Sequence, residues 1–280
     1  MPHLPQRIVC LTEETTETLY LLGEGDRVVG ISGYTVRPPE ARQKPKVSAF
    51  INARFDKIMA LDPDMVLTFS DLQADIASEL VRRGVTVLAF NQRSVSEILN
   101  MILTLSSVVG AVDRGHALVA ELESQLNQIR ANAEQFPSRP AAFFEEWNDP
   151  LISGICWVDE LIEVAGGTPI FPELRHRKNA PDRIVDPAKV VVKNPDVIVA
   201  SWCGARVNKN IIRSRPDWSG ISAIQNGHVY EIKSTYILQP GPAALTEGVR
   251  QLHAIFAHVT GAPVPELLEC RESLDRSLRA

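Results

Sequence analysis

Short runs of apolar, β-branched residues alternate along this chain with segments whose apolar positions recur every three or four residues. RIVCL (7–11) is such a run, and EETTETLYLLG (13–23) then carries Leu19 and Leu22 at helical spacing before Gly23 and Gly25 stop it. The same reading predicts strands over 27–32, 65–69 and 85–90 and helices over 55–61 and 75–84. A proline-free stretch, 113–136, sets Leu118, Leu122, Leu126 and Ile129 on one face, which predicts a single long helix. The alternation then restarts, with strands over 141–147, 197–202 and 228–232, helices over 156–167 and 187–194, and a closing helix over 243–261. Short apolar strands alternating with helices predict parallel sheets covered on both faces.

The two halves share phrases. LDPDMVLTF (61–69) and KNPDVIVASW (193–202) place Pro63 and Pro195 at a separation of 195 − 63 = 132 positions, each after a helix-like run and before an apolar stretch. The first helix of each half runs into glycines, LLGEG and EVAGG. The expected architecture is therefore α/β: two Rossmann-like lobes, 1–112 and 137–280, with parallel sheets joined by the one long α-helix 113–136. In such sheets ligands bind beyond the carboxyl ends of the strands, so the ligand is expected in a cleft between the lobes.

Composition narrows the function. A chain of 280 residues with 45% apolar content can pack full cores, and 29 Lys plus Arg against 34 Asp plus Glu, a net charge of −5, gives no attraction toward nucleic acid. Cys10, Cys156, Cys203 and Cys270 stand far apart without a C-x-x-C pair, which predicts free buried thiols rather than a disulfide framework, a redox motif or a zinc site. The six histidines, His3, His116, His176, His228, His253 and His258, are scattered, and no metal site is expected. No apolar run is long enough for membrane insertion. The first residues lead directly into a strand without the basic and apolar regions of a secretion signal, so the expected location is cytoplasmic, or periplasmic if a signal peptide has been removed.

Residues just past the predicted strands should line the ligand site, and several are aromatic: Tyr34, Phe50, Phe69, Trp147 and Trp202. Flat rings bury much area at low entropic cost and suit a large, rigid, partly apolar ligand. Glu145 and Glu146 adjoin at one strand end, where Glu146 is a candidate for hydrogen bonds to ligand amides or hydroxyls. Neighbours on a strand point to opposite faces, which disfavours a catalytic carboxylate pair. Arg175, His176, Arg177 and Lys178 crowd a loop (173–183), with Arg175 the candidate partner for an anionic group. No phosphate-loop, dinucleotide or serine-hydrolase motif occurs where it could operate.

The ordered segments RIVCLTEETTETLYLLG, VVGISGYTVRPPEA, ALDPDMVLTF, ISGICWVDELIEVAGGTPIF, KNPDVIVASW and GPAALTEGVRQL resemble the cobalamin and iron-siderophore class of substrate-binding proteins of ABC importers. The resemblance covers almost the whole chain and is most similar to the cobalamin-binding branch. It implies a non-enzymatic protein without an intrinsic cofactor that clamps a corrinoid, with Tyr34, Phe50, Phe69 and Trp202 around the ring and Trp147 in the second-lobe loop. An iron siderophore or haem is the alternative ligand. An enzyme or binder for a smaller nucleoside-like or aromatic metabolite, with Glu145 or Glu146 as acid or base, is the alternative class. The family docks on its importer permease through one exposed acid on each lobe. Asp56 matches the first, whereas Ala188 and Lys189 stand where the second belongs, with Asp186 only nearby, a departure that weighs against the permease as a partner.

Overall fold

In the computed structural model, which describes residues 4–265, the chain divides into two compact α/β units. One holds the chain up to Gln92 together with Ser96–Glu121; the other holds Arg93–Val95 and the chain from Leu122 onward. Cys270 and His3 lie outside the described residues.

The first unit contains β1 (Ile8–Cys10), α1 (Glu13–Leu21), β2 (Val28–Ser32), β3 (Lys46–Ala49), β4 (Asn52–Ala53), α2 (Phe55–Ala60), β5 (Met65–Phe69), α3 (Ala74–Arg82) and β6 (Val87–Phe90). The chain then enters α4 (Val95–Val108) and the long α5 (Val112–Ala133), within which the division between the units falls. The sheet order is β4-β3-β2-β1-β5-β6, parallel except for the β3–β4 pair. Val9, Leu11, Val47, Ile58, Val66, Ile76 and Leu80 form a buried cluster of this unit. β1 is buried at all three positions, as a central parallel strand covered on both faces must be.

The second unit contains β7 (Ala141–Asn148), β8 (Leu151–Ser153), α6 (Cys156–Ala165), β9 (Thr168–Pro169), α7 (Pro187–Lys193), β10 (Val197–Ala200), α8 (Lys209–Arg213), α9 (Ser222–Gln225), β11 (Val229–Glu231), α10 (Ser234–Ile237) and α11 (Val249–Thr260). Its sheet runs β11-β10-β7-β8, with β9 also pairing to β7. β7, β10 and β11 are mutually parallel, and β7–β8 is an antiparallel hairpin turned at the cis Asp149–Pro150 bond. Phe143, Ile198, Trp202, Ile212 and Trp218 belong to its buried core.

Both units show the two repeated motifs at work. Asp62 (φ 45) and Asn194 (φ 44) adopt the left-handed backbone just before Pro63 and Pro195, a conformation that short polar side chains tolerate better than others. Gly23 (φ 72) and Gly166 (φ 104) take the same backbone region after α1 and α6.

Two sequence expectations need correction. The closing helix opens with a π-helical turn, Ala244–Gly248, and becomes α-helical from Val249 on. Gly248 sits where a Cβ would meet the Tyr236 carbonyl oxygen at 2.3 Å, so close backbone contact sets this turn. Among the described residues no disulfide forms, and of Cys10, Cys156 and Cys203 the first is buried, the second half-buried and the third exposed. Burial pushes the Cys10 thiol up to about 12, which leaves it unreactive.

Candidate functional site

The carboxyl ends of the parallel strands carry the candidate residues. In the first unit, Tyr34 lies two residues beyond β2 and is half exposed, and Phe50 follows β3 with a partly exposed side chain. Phe69 ends β5 and is buried. Phe50 (φ 54) and Ser70 (φ 59, ψ 178) both have positive φ at this edge, a conformation that side chains other than glycine rarely take.

α1 starts at the same edge, and its first turns are unusually acidic and buried. Glu14 accepts a hydrogen bond from the Thr12 hydroxyl at 2.6 Å, and its other carboxylate oxygen has no partner. Burial, partly offset by that hydrogen bond, raises the Glu14 carboxyl to about 7. Burial and the neighbouring Glu14 and Glu17 raise Glu13 to about 8. Glu17 accepts from Arg37 Nε at 2.9 Å, which ties the loop after β2 to α1.

In the second unit, β7 delivers Glu145, Glu146 and Trp147 in succession, and alternation sends the two carboxylates to different partners. Glu145 is fully buried and accepts from Arg215 through both oxygens, Nη1 to Oε2 at 2.6 Å and Nη2 to Oε1 at 2.8 Å. Its Oε1 also accepts from the Trp202 indole nitrogen at 3.0 Å, and the Arg215 guanidinium lies 4.5 Å from the Trp218 ring centroid. Glu146 accepts from Arg183 at 2.5 and 3.1 Å, and the same buried arginine donates to the Ser153 carbonyl at 2.5 Å. Both carboxylates thus serve as anchors for arginines that arrive from distant loops.

Trp147 and Trp202 meet edge to face, with centroids 6.5 Å apart. Trp202 is buried, whereas Trp147 is half-buried and donates its indole N–H to the Asp149 carbonyl at 2.9 Å. Arg175 is paired with Glu163 of α6 at 2.5 Å. Near it, Asp159 is raised to about 7 by burial, against the opposing charge of Arg175. A cavity of about 500 Å³ lies at the start of α8, lined by Arg206, Val207, Asn208, Lys209, Asn210 and Arg213. Asp56, in the first turn of α2, is exposed, while Asp186 caps α7 by accepting from the Ala188 backbone N–H at 2.9 Å.

The structure therefore brings Glu146, Trp147 and Trp202 together at one strand edge, and Tyr34, Phe50 and Phe69 onto the carboxyl edge of the first sheet. Sequence reading missed Arg183, Arg215 and Gln73. The only signal for the arginines was that two adjacent glutamates on a buried strand each require a cation.

The comparisons agree with this architecture. A family model described as periplasmic binding protein matches residues 8–236, and the chain belongs to that family. An uncharacterized ABC transporter substrate-binding lipoprotein of Bacillus subtilis, YvrC, is 30% identical over 263 residues, covering 89% of this chain and 79% of its own. The vitamin B12-binding protein of Vibrio cholerae is 26% identical over 250 residues, 87% of each chain. The crystal structure of periplasmic vitamin B12 binding protein BtuF of Vibrio cholerae aligns at a TM-score of 0.73 and 24% identity, covering 92% of this chain and 99% of that one. The periplasmic heme-binding protein RhuT of Roseiflexus sp. RS-1 aligns at 0.78 and 20% identity, covering 91% and 99%. The fold is thus that of a two-lobed substrate-binding protein. None of these relatives supports the expected cytoplasmic location. Among the described residues no helix is long and apolar enough to cross a membrane.

Proposed function

We propose that this protein is a non-enzymatic binding protein for a corrinoid, a cobalamin-like metabolite, held by aromatic rings at the carboxyl edges of its sheets. The observation that carries the reading is the Trp147–Trp202 pair, in which a buried indole braces a half-buried one that keeps surface free for a flat ligand. Tyr34 and Phe50, each with exposed ring surface, supply the same chemistry in the first unit. The 26% identity to a vitamin B12-binding protein supports the choice of ring system. Occupation of Glu145 and Glu146 by arginines speaks against the alternative of an enzyme with a free acid or base there. The protein then works outside the cytoplasmic membrane and hands its ligand to an importer permease, with Asp56 as one docking acid.

A second reading, haem or a ferric siderophore, draws on the cavity whose lining includes Arg206 and Arg213, a basic surface that suits a ligand carboxylate. Calorimetric and thermal-shift titration with cyanocobalamin, cobinamide, haem and ferric siderophores separates the two. Saturable binding of the corrinoids alone, with a melting temperature that climbs with ligand concentration, is the expected result. Binding of haem or a siderophore alone transfers the assignment to the second reading, and no binding of any of them overturns both.

A further inference from the structure

Gln73 is an interior glutamine at the carboxyl edge of the first sheet. It ends the single 3-10 turn Asp71–Gln73 between β5 and α3, and none of its surface is exposed. Its amide is used at both ends. Oε1 accepts from the Phe69 backbone N–H at 2.9 Å, while Nε2 donates to the Phe50 carbonyl at 2.7 Å and to the Leu11 carbonyl at 3.4 Å. The Leu11 carbonyl also accepts from the Ser48 hydroxyl at 3.2 Å. One side chain thus gathers the residue after β1, the last residue of β5 and the residue after β3.

Phe50 is the partner with most need of this hold. Its φ of 54 places an aromatic residue in the left-handed region, where the Cβ crowds the backbone and where only glycine and short polar residues settle readily. Without an external restraint the peptide would relax toward extended backbone and carry the ring elsewhere. The 2.7 Å bond from Gln73 fixes the carbonyl that such a rotation would move. Unusual backbone that is held by a dedicated buried group is a recurrent feature of ligand sites, because it pre-sets a contact that would otherwise have to be ordered on binding.

We propose that Gln73 is the positioning residue of the ligand site in the first unit: it locks Phe50 in its left-handed conformation, beside Phe69, so that the Phe50 ring is already in place for the ligand. The proposal rests on the reading above, in which that ring touches a corrinoid.

The test is a double-mutant cycle on cyanocobalamin affinity with the full chain: wild type, Phe50→Ala, Gln73→Met and the double variant, each checked by melting. Gln73→Met is expected to weaken binding about tenfold in the wild-type background and to add nothing once Phe50 is gone. A residue with a merely structural role would weaken binding equally in both backgrounds, and that result overturns the proposal. Gln73→Glu supplies the second arm and decides alone if Gln73→Met does not fold. Its carboxylate still accepts from Phe69 but cannot donate to Phe50, so binding should be weak at pH 8 and recover toward pH 5 as the acid gains a proton. Weak or unaltered affinity that stays flat across that range, relative to wild type, overturns the proposal.

Wild-type affinity in Phe50→Ala sinks the ring contact and the proposal with it, whereas loss in Phe50→Ala with full affinity in Gln73→Met sinks the proposal alone. If the wild type binds no corrinoid, the functional reading fails, and fluorophenylalanine at Phe50 decides the positioning role. One sharp fluorine resonance that broadens or splits in Gln73→Met keeps that role, and an unchanged line removes it.

Discussion

Asp196 holds Ala141 from both sides of one residue: its backbone N–H donates to the Ala141 carbonyl at 2.8 Å, and its carboxylate Oδ2 accepts from the Ala141 N–H at 2.8 Å. In the other unit Asp64 treats Arg7 in the same way, with its N–H donating to the Arg7 carbonyl at 3.0 Å and its Oδ1 accepting from the Arg7 N–H at 3.0 Å. The two aspartates are 196 − 64 = 132 positions apart, and each follows a proline and a left-handed residue. The repeated Pro-Asp phrase is thus a device that pins the first strand of each sheet to the strand that will lie beside it.

Replacing Asp196 with Ala removes a charged acceptor from an edge N–H that water can still reach. The expected loss is about 1 kcal/mol in urea unfolding, with Asp196→Asn recovering much of it because the amide oxygen can still accept. Asp64→Ala should cost at least as much, because Asp64 also accepts from the Gln6 N–H at 2.6 Å.

The Glu145–Arg215 pair is a different case, since both partners are withdrawn from water. Arg215→Met leaves a fully buried carboxylate without its cation, and the expected destabilisation is about 3–5 kcal/mol. The double variant Glu145→Leu, Arg215→Met should be more stable than Arg215→Met alone, because the uncompensated charge is gone. Chemical denaturation of these two variants and of Glu145→Leu checks this order, and additivity of the two single effects would show that the pair does not act as a unit.

Periodicity made the parallel core legible. β1, β2, β5 and β10 fall on apolar runs, because a parallel strand covered on both faces must be largely apolar, and β6, β7 and β11 keep enough apolar positions to be found the same way. The short elements were not legible: β4 is Asn-Ala, β9 is Thr-Pro, and β3 buries only its two middle residues, Val47 and Ser48, between exposed ends. Such short strands are defined by the backbone groups that their neighbours offer, which no local pattern records. The same limit holds at the site. Tyr34, Phe50, Phe69, Trp147 and Trp202 could be named from their places after strands, yet the groups that hold them, Glu145 on Trp202 and Gln73 on Phe50, are joined only by the fold.

The acidic start of α1 predicts a stability that depends on pH. Glu14 has a folded-state carboxyl raised to about 7 against an ordinary value near 4.5, so between these values the folded chain keeps a proton that the unfolded chain releases. Stability must therefore fall as pH rises through this window and level off above it. Glu13, raised to about 8, extends the slope upward. Glu14→Gln removes the Glu14 share, and near pH 8 the variant should be more stable than wild type by about 2–3 kcal/mol, with little difference at pH 4. Melting curves across pH 4–8 supply the measurement, and parallel curves for the two proteins would remove Glu14 as the source.

The two indoles of the second unit should separate ligand binding from folding. Trp202 is buried in the core and bonded to Glu145, so Trp202→Ala opens a cavity and frees a buried acceptor, at an expected cost of about 3–5 kcal/mol in stability. Any loss of affinity in that variant is therefore mixed with loss of fold. Trp147 is only half-buried, and its indole N–H bonds a carbonyl of its own turn. Trp147→Ala removes its packing against Trp202 and should cost less than Trp202→Ala, about 1–2 kcal/mol, while weakening cyanocobalamin binding about tenfold or more, the scale expected when one stacking face is removed. Trp147→Phe, which keeps a flat ring, should recover part of the affinity. Full affinity in Trp147→Ala, measured by calorimetry on protein shown to be folded, would mean that the exposed face of this pair does not meet the ligand.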